Sequence, residues 1–163
     1  LYSYQIPKKS PKYVMSRYFD HPVYSYKVIG VIEDGELRAL IVMRPVYVGS
    51  AVAFRIVDFI GPNEQIINFS LEAHKLLKQY EGEYLDFYSY GIPKQLLKTA
   101  GLINRRETQG LVIPNHFEPF KQENQDLLVA LKTSCKLPNV RLFKGDGDSD
   151  RPARLPGDRN TGE

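Results

Sequence analysis

Apolar residues run almost without a break from Ala51 to Ile60 (AVAFRIVDFI), where Arg55 and Asp58 are the only charges. That pattern predicts a strand covered on both faces. Gly61-Pro62-Asn63 ends the run. From Glu64 the positions Ile67, Leu71, His74, Leu76 and Leu77 recur at helical spacing, predicting a helix with one buried face that ends near Gly82. Asn63 stands where it can cap that helix, and Glu64 where the helix dipole favours an acid. Tyr84 to Tyr88 (YLDFY) predicts a short aromatic strand, and Pro93 and Gly101 bracket a further short helix. A β-α-β-α order of this kind leaves strand ends and a helix start around a cleft suited to a phosphorylated cofactor.

Upstream, Tyr24 to Glu33 and Glu36 to Tyr47 are two β-rich runs joined by Asp34-Gly35, a strong hairpin signal. Gly49-Ser50 allows a second reversal into Ala51, so three antiparallel strands feed the helix. Pro11 to Phe19 reads as a short helix stopped by Asp20-His21-Pro22. Beyond Gly101 the pattern predicts a strand at Gly110 to Ile113, a loop NHFEPF, a helix from Asn124 to Thr133 and a strand from Val140 to Phe143. The fold class is α+β with a mixed, mostly antiparallel twisted sheet flanked by helices. A single domain over residues 1–145 is expected, with 146–163, rich in Gly, Pro, Asp and Arg, as a mobile tail.

Composition adds limits rather than a function. The chain of 163 residues, 42% hydrophobic and 12% aromatic, can bury one substantial core. No apolar run approaches the ~20 residues that span a bilayer. The lone Cys135 has no internal disulfide partner, which points to a reducing, cytoplasmic setting. Leu1 in place of Met, with no leader after it, points to a fragment of something longer. A net charge of +3 does not establish nucleic-acid binding, and the Lys8-Lys9, Lys12 and Arg17 group reads as solubilising charge.

The β-β-β-α-β-α order, with AVAFRIVDFIG as its central strand and LLKTAGL where a helix meets a turn, resembles the GNAT superfamily of N-acetyltransferases. YFDHPVYSYKVIG, RIVDFIG, IPNHFEPF and KGDGDSDRP are similar to the C-terminal half of acetyltransferase-like proteins of bacterial surface-polysaccharide gene clusters. The resemblance implies two central strands, Ala51 to Ile60 and Tyr84 to Tyr88, that splay apart around the pantetheine of acetyl-CoA or another acyl-CoA. It places the pyrophosphate at Gly61, Asn63 and Gln65. Two departures stand out: GPNEQI holds one glycine, a proline without an N–H and Glu64 where the superfamily has a glycine-rich turn. Leu97 occupies the place of the tyrosine that often protonates the departing thiolate, leaving Tyr88 and Tyr90 as substitutes.

The remaining candidates come from the residues themselves. Asp58 and Asp86 on neighbouring strands would make a pair with a raised pKa able to take a proton from an amine, or else each pairs with a cation such as Arg55 or Arg44. His116 and Glu118 in NHFEPF would face a substrate cleft, or else Phe117 and Phe120 pin that loop. His74 reads as a partly buried packing residue and His21 as a turn residue. His21, His74 and His116 lack metal-ligand spacing. Asp146 to Asp150 opens like a calcium loop, but Arg151 and Gly157 stand where Gly and Glu are required, so it reads as a solvated acidic turn binding Arg151 or Arg141. Two functions follow. One is an acyl-CoA-dependent N-acyltransferase acting on a small-molecule amine such as an amino sugar. The other is a catalytically silent GNAT-like domain that pairs with a second GNAT-like half or forms a homodimer.

Overall fold

The computed structural model describes residues 5–114, 123–124, 126–134 and 140–152. It is an α+β fold built on a four-stranded sheet in the order β1-β2-β3-β4. Strands β1 (Lys27–Glu33), β2 (Glu36–Val48) and β3 (Ala51–Ile60) are antiparallel, while β4 (Tyr84–Phe87) runs parallel to β3. The β1-β2 turn has φ of 52° at Asp34 and 76° at Gly35, the left-handed pair that a two-residue hairpin needs. That turn sets the register of Glu33↔Glu36 and Ile32↔Leu37, after which a bulge at Arg38 shifts it to Val31↔Ala39, and β3 lies centrally, as its unbroken apolar run requires.

Each sheet face has its own cover. Ala39, Ile41, Met43, Ile56 and Phe59 point to one side, where they pack with Ile66, Phe69, Ile92 and Ala100 in and beside the following helices. These are the 3-10 helix Asn63–Phe69, α2 (Ser70–Gln79) and α3 (Lys94–Thr99). Val42, Val57 and Ile60 point to the other side, onto Val14 and Tyr18. Tyr18 belongs to a π-helical turn, Met15–Phe19, that continues α1 (Pro11–Val14). A small second sheet pairs β5 (Ser89–Tyr90) with β6 (Leu142–Phe143).

Several expected elements differ. The helix after β3 starts as a 3-10 segment capped by Pro62, and no side chain caps it, so Asn63 does not take the capping role. The proline fixes its own φ and precedes the first turn, leaving Asn63 inside the helix. Gly110 to Ile113 forms no strand, and the described residues between Asn124 and Thr133 form no helix. Leu127, Leu128, Val129 and Leu131 are exposed, so that stretch lacks the apolar contact that stabilises a short helix. The expected tail differs at its start: Lys144–Asp146 and Asp148–Asp150 are 3-10 turns docked on the sheet, with Asp150 only 1% exposed.

Candidate functional site

The bulge in β3 sets the geometry of the site. Val42 pairs with Asp58 and Met43 with Ile56, leaving Val57 as the extra residue. β3 and β4 stay paired only from Ala53↔Tyr84 to Ile56↔Phe87. Beyond that point β3 continues to Ile60 while the other strand turns away, and Ser89–Tyr90 pairs with β6 instead.

The opening between them is filled by residues 5–6 and 140–146. The Gln5 side-chain amide donates to the Phe59 carbonyl at 3.2 Å, and the Arg141 guanidinium to the Gly61 carbonyl. Ile6 bridges Val140, and its carbonyl accepts the Arg141 N–H at 2.9 Å. The Phe143 ring stacks on Phe87, with centroids 5.5 Å apart, and meets Phe59 edge-on at 6.5 Å. Gly145 lies so close that a Cβ there would sit 2.5 Å from the Tyr18 hydroxyl and 3.0 Å from the Val57 carbonyl. Those contacts satisfy backbone groups that the parting of β3 from β4 would otherwise leave unpaired in the interior.

Alternation along the strands puts Arg44, Arg55, Asp58 and Asp86 on the face opposite α2. Asp58 does not share a proton with Asp86, because each carboxylate has cations of its own. Asp58 accepts from the Lys9 ammonium, from the Tyr18 hydroxyl at 2.5 Å and from the Phe59 N–H at 2.8 Å. Lys9 also reaches Asp146 at 2.9 Å. Asp86 lies 3.3 Å from the Arg55 guanidinium and accepts from the Lys144 ammonium at 3.2 Å. A third group joins Arg17 and Arg44 to Asp150, with the Arg44 contact at 2.7 Å. The Tyr26 hydroxyl donates to Asp150 at 2.8 Å. Asp146 and Asp150 are thus not solvated, and their carboxylates pair with Lys9, Arg17 and Arg44.

Burial governs the ionisation of these groups. It raises the Asp58 pKa, helped by Asp146 and opposed by Lys9 and Tyr18. It lowers the Lys144 pKa to about 8, against the pull of Asp86. It raises the Tyr88 pKa, helped by Asp86, so the hydroxyl is a weaker acid than a free tyrosine. The Lys144 ammonium sits 4.4 Å from the centroid of the Tyr88 ring.

Of the expected site residues, Asp86 and Tyr88 lie beside Arg55 and Lys144, and Asp58 lies in the adjoining group with Lys9 and Tyr18. His116 and Glu118 lie outside the described residues. His74 is exposed rather than packed, because α2 turns it away from the sheet. His21 does hold a turn, with Nδ1 accepting from the Val23 and Tyr24 N–H groups at 3.2 and 2.9 Å. Lys9 and Lys144 were not expected in the site, since nothing local marks either lysine as buried. The KGDGDSD string was the available signal, its three acids being too many for an ordinary turn.

Comparison with family models, with curated proteins and with solved structures finds no match to this chain. The fit of an acyl-CoA therefore rests on the residues. At the expected pyrophosphate turn, the Gly61 carbonyl accepts from Arg141 and the Gln65 N–H is already bonded to the Pro62 carbonyl at 3.1 Å. Gln65 spends its side chain on Glu33 and Asn68, and the Asn63 Oδ1, an acceptor, is buried without a hydrogen-bond partner. Glu64 adds a negative charge in the first turn. The bonded Gln65 N–H, the Asn63 acceptor and the Glu64 charge do not favour a diphosphate, and Phe143 and Gly145 fill the opening that the resemblance assigns to a pantetheine. Among the described residues no group of three His, Cys, Asp or Glu side chains could hold a metal ion, and no helix is long and apolar enough to cross a membrane.

Proposed function

We propose that this chain is a catalytically silent, GNAT-like domain that serves to bind another protein domain. The observation that carries this reading is the filling of the strand opening by residues 5–6 and 140–146. The titratable groups around it support the same reading: Asp58 and Asp86 are tied to buried cations, and Tyr88 is held as a weak acid. A base already paired with a buried ammonium is poorly disposed to take a proton from an amine.

The alternative, an acyl-CoA-dependent transferase acting on an amino sugar in surface-polysaccharide synthesis, draws support from the bulge at Val57 and the parting of β3 from β4. It would require the C-terminal segment to leave the opening. Calorimetric titration with acetyl-CoA separates the two. The silent domain gives no saturable heat at millimolar ligand, for the wild type and for Glu64→Gln alike. Saturable binding, tightened by Glu64→Gln through loss of a charge beside the diphosphate, would establish the transferase instead.

A further inference from the structure

Strand β1 is the edge of the main sheet, hydrogen-bonded only to β2 among the described residues. Among the described residues, no strand pairs with the other row of its backbone groups. Its sequence, Lys27-Val28-Ile29-Gly30-Val31-Ile32-Glu33, is symmetric in chemical character about Gly30. Antiparallel pairing with the same strand of a second copy, with Gly30 facing Gly30, puts Lys27 opposite Glu33, Val28 opposite Ile32, and Ile29 opposite Val31. Each relation occurs twice across the two-fold axis, as an isologous contact requires. Parallel in-register pairing would instead set Lys27 against Lys27 and Glu33 against Glu33.

The side chains are placed for this arrangement. Lys27 and Glu33 lie on one sheet face with Ile29 and Val31, by alternation along the strand. Lys27 is held there over the Tyr80 ring, 4.2 Å from its centroid, and donates to the Tyr80 hydroxyl at 2.6 Å, leaving two further donors. The Glu33 side chain is 55% exposed, and both its contacts, the Gln65 amide donating at 3.3 Å and Arg38 at 3.7 Å, fall on Oε2 rather than Oε1. Ile32, on the opposite face, is 69% exposed, a large apolar side chain at the rim of the sheet. Beside the edge lies a cleft of about 210 Å³ between Ile29 to Ile32 and Asn68, Phe69 and Glu72.

We infer that two copies of this chain join through β1, antiparallel about Gly30, so that the two sheets become one. Building on the reading of the chain as an interaction domain, this names the partner as a second copy. The pairing spans about 23 Å of strand, and the opposed Lys27 and Glu33 fix its direction and register. A strand contact this narrow, below the standard interface size, gives a reversible dimer rather than an obligate one.

Sedimentation equilibrium of the full chain from micromolar to millimolar concentration is the test, with circular dichroism as the check on folding. The wild type should show a monomer–dimer equilibrium. Glu33→Lys and Lys27→Glu should each weaken it roughly ten-fold, since each change makes two attractive cross-strand pairs repulsive. The double variant Lys27→Glu/Glu33→Lys should restore the wild-type constant, a rescue that a merely structural role for either residue would not give. Ile32→Lys, at an exposed position, should keep the fold and weaken the dimer to a similar extent. A wild type that stays monomeric at millimolar concentration, or a dimer indifferent to all four variants, overturns the inference. A dimer that takes up acetyl-CoA would refute the silent function and leave the β1 pairing standing. A monomer that takes up none would do the reverse.

Discussion

The two faces of the main sheet are held by different physics. On the face under α2, Ile41, Met43, Ile56 and Phe59 meet Ile66, Phe69 and Ala100 from the segments that follow β3, with Phe143 as the one distant contributor among the buried residues named, and all are apolar. On the other face, beside the apolar cluster of Val14, Tyr18, Val42, Val57 and Ile60, the charged Arg44, Arg55, Asp58 and Asp86 meet Lys9, Arg17, Lys144, Asp146 and Asp150, which lie far from β2, β3 and β4 in sequence. On the first face a lost methyl group costs its share of buried area and packing, with no partner left uncompensated. On the second, removing one charge leaves its partner buried and uncompensated.

The contrast is largest for substitutions of one atom or one methyl group. Asp86→Asn keeps the shape of the side chain but leaves Arg55 and Lys144 without their carboxylate, and should cost roughly 3–5 kcal/mol in urea unfolding. A loss below ~1 kcal/mol would show that the charges are better solvated than their burial implies. The pH dependence of Lys144 comes next. Its folded pKa of about 8 lies below the ordinary lysine value of 10.5, so between those values the unfolded state binds more protons and stability rises with pH. Relative to Lys144→Met, the wild type should therefore gain up to ~3 kcal/mol from pH 8 to 10.5, and the gain is lost as pH falls through 8. A flat difference between the two proteins over that window would contradict the assigned environment. Ile41→Val, deep in the apolar face, should cost only ~1 kcal/mol, and a loss comparable with Asp86→Asn would erase the distinction between the faces.

Legibility from sequence follows the same division. The apolar face was readable because its information is local: the run AVAFRIVDFI, the Asp34-Gly35 turn and the spacing of Ile67 and Leu76 each specify an element on their own. The charged face was not, because its contacts join positions as far apart as Arg17 and Asp150, or Lys9 and Asp58. Asp58 and Asp86 were recognisable as unusual within apolar strands, and pairing of Asp86 with Arg55 was one of the two readings available. That Lys9 and Lys144 would supply the remaining cations had no local signal. The helix read into Asn124 to Thr133 fails for a related reason: its apolar spacing is real, but the described residues there find no surface to pack on.

The central claim is that residues 5–6 and 140–146 close the strand opening and keep acyl-CoA out. Amide NMR of the labelled wild type during addition of acetyl-CoA to millimolar concentration reads those residues directly. The account predicts that the resonances of Gln5, Ile6, Val140, Phe143 and Gly145 stay where they are throughout the titration. Saturable shifts or loss of those signals, showing the segment displaced by ligand, would contradict it.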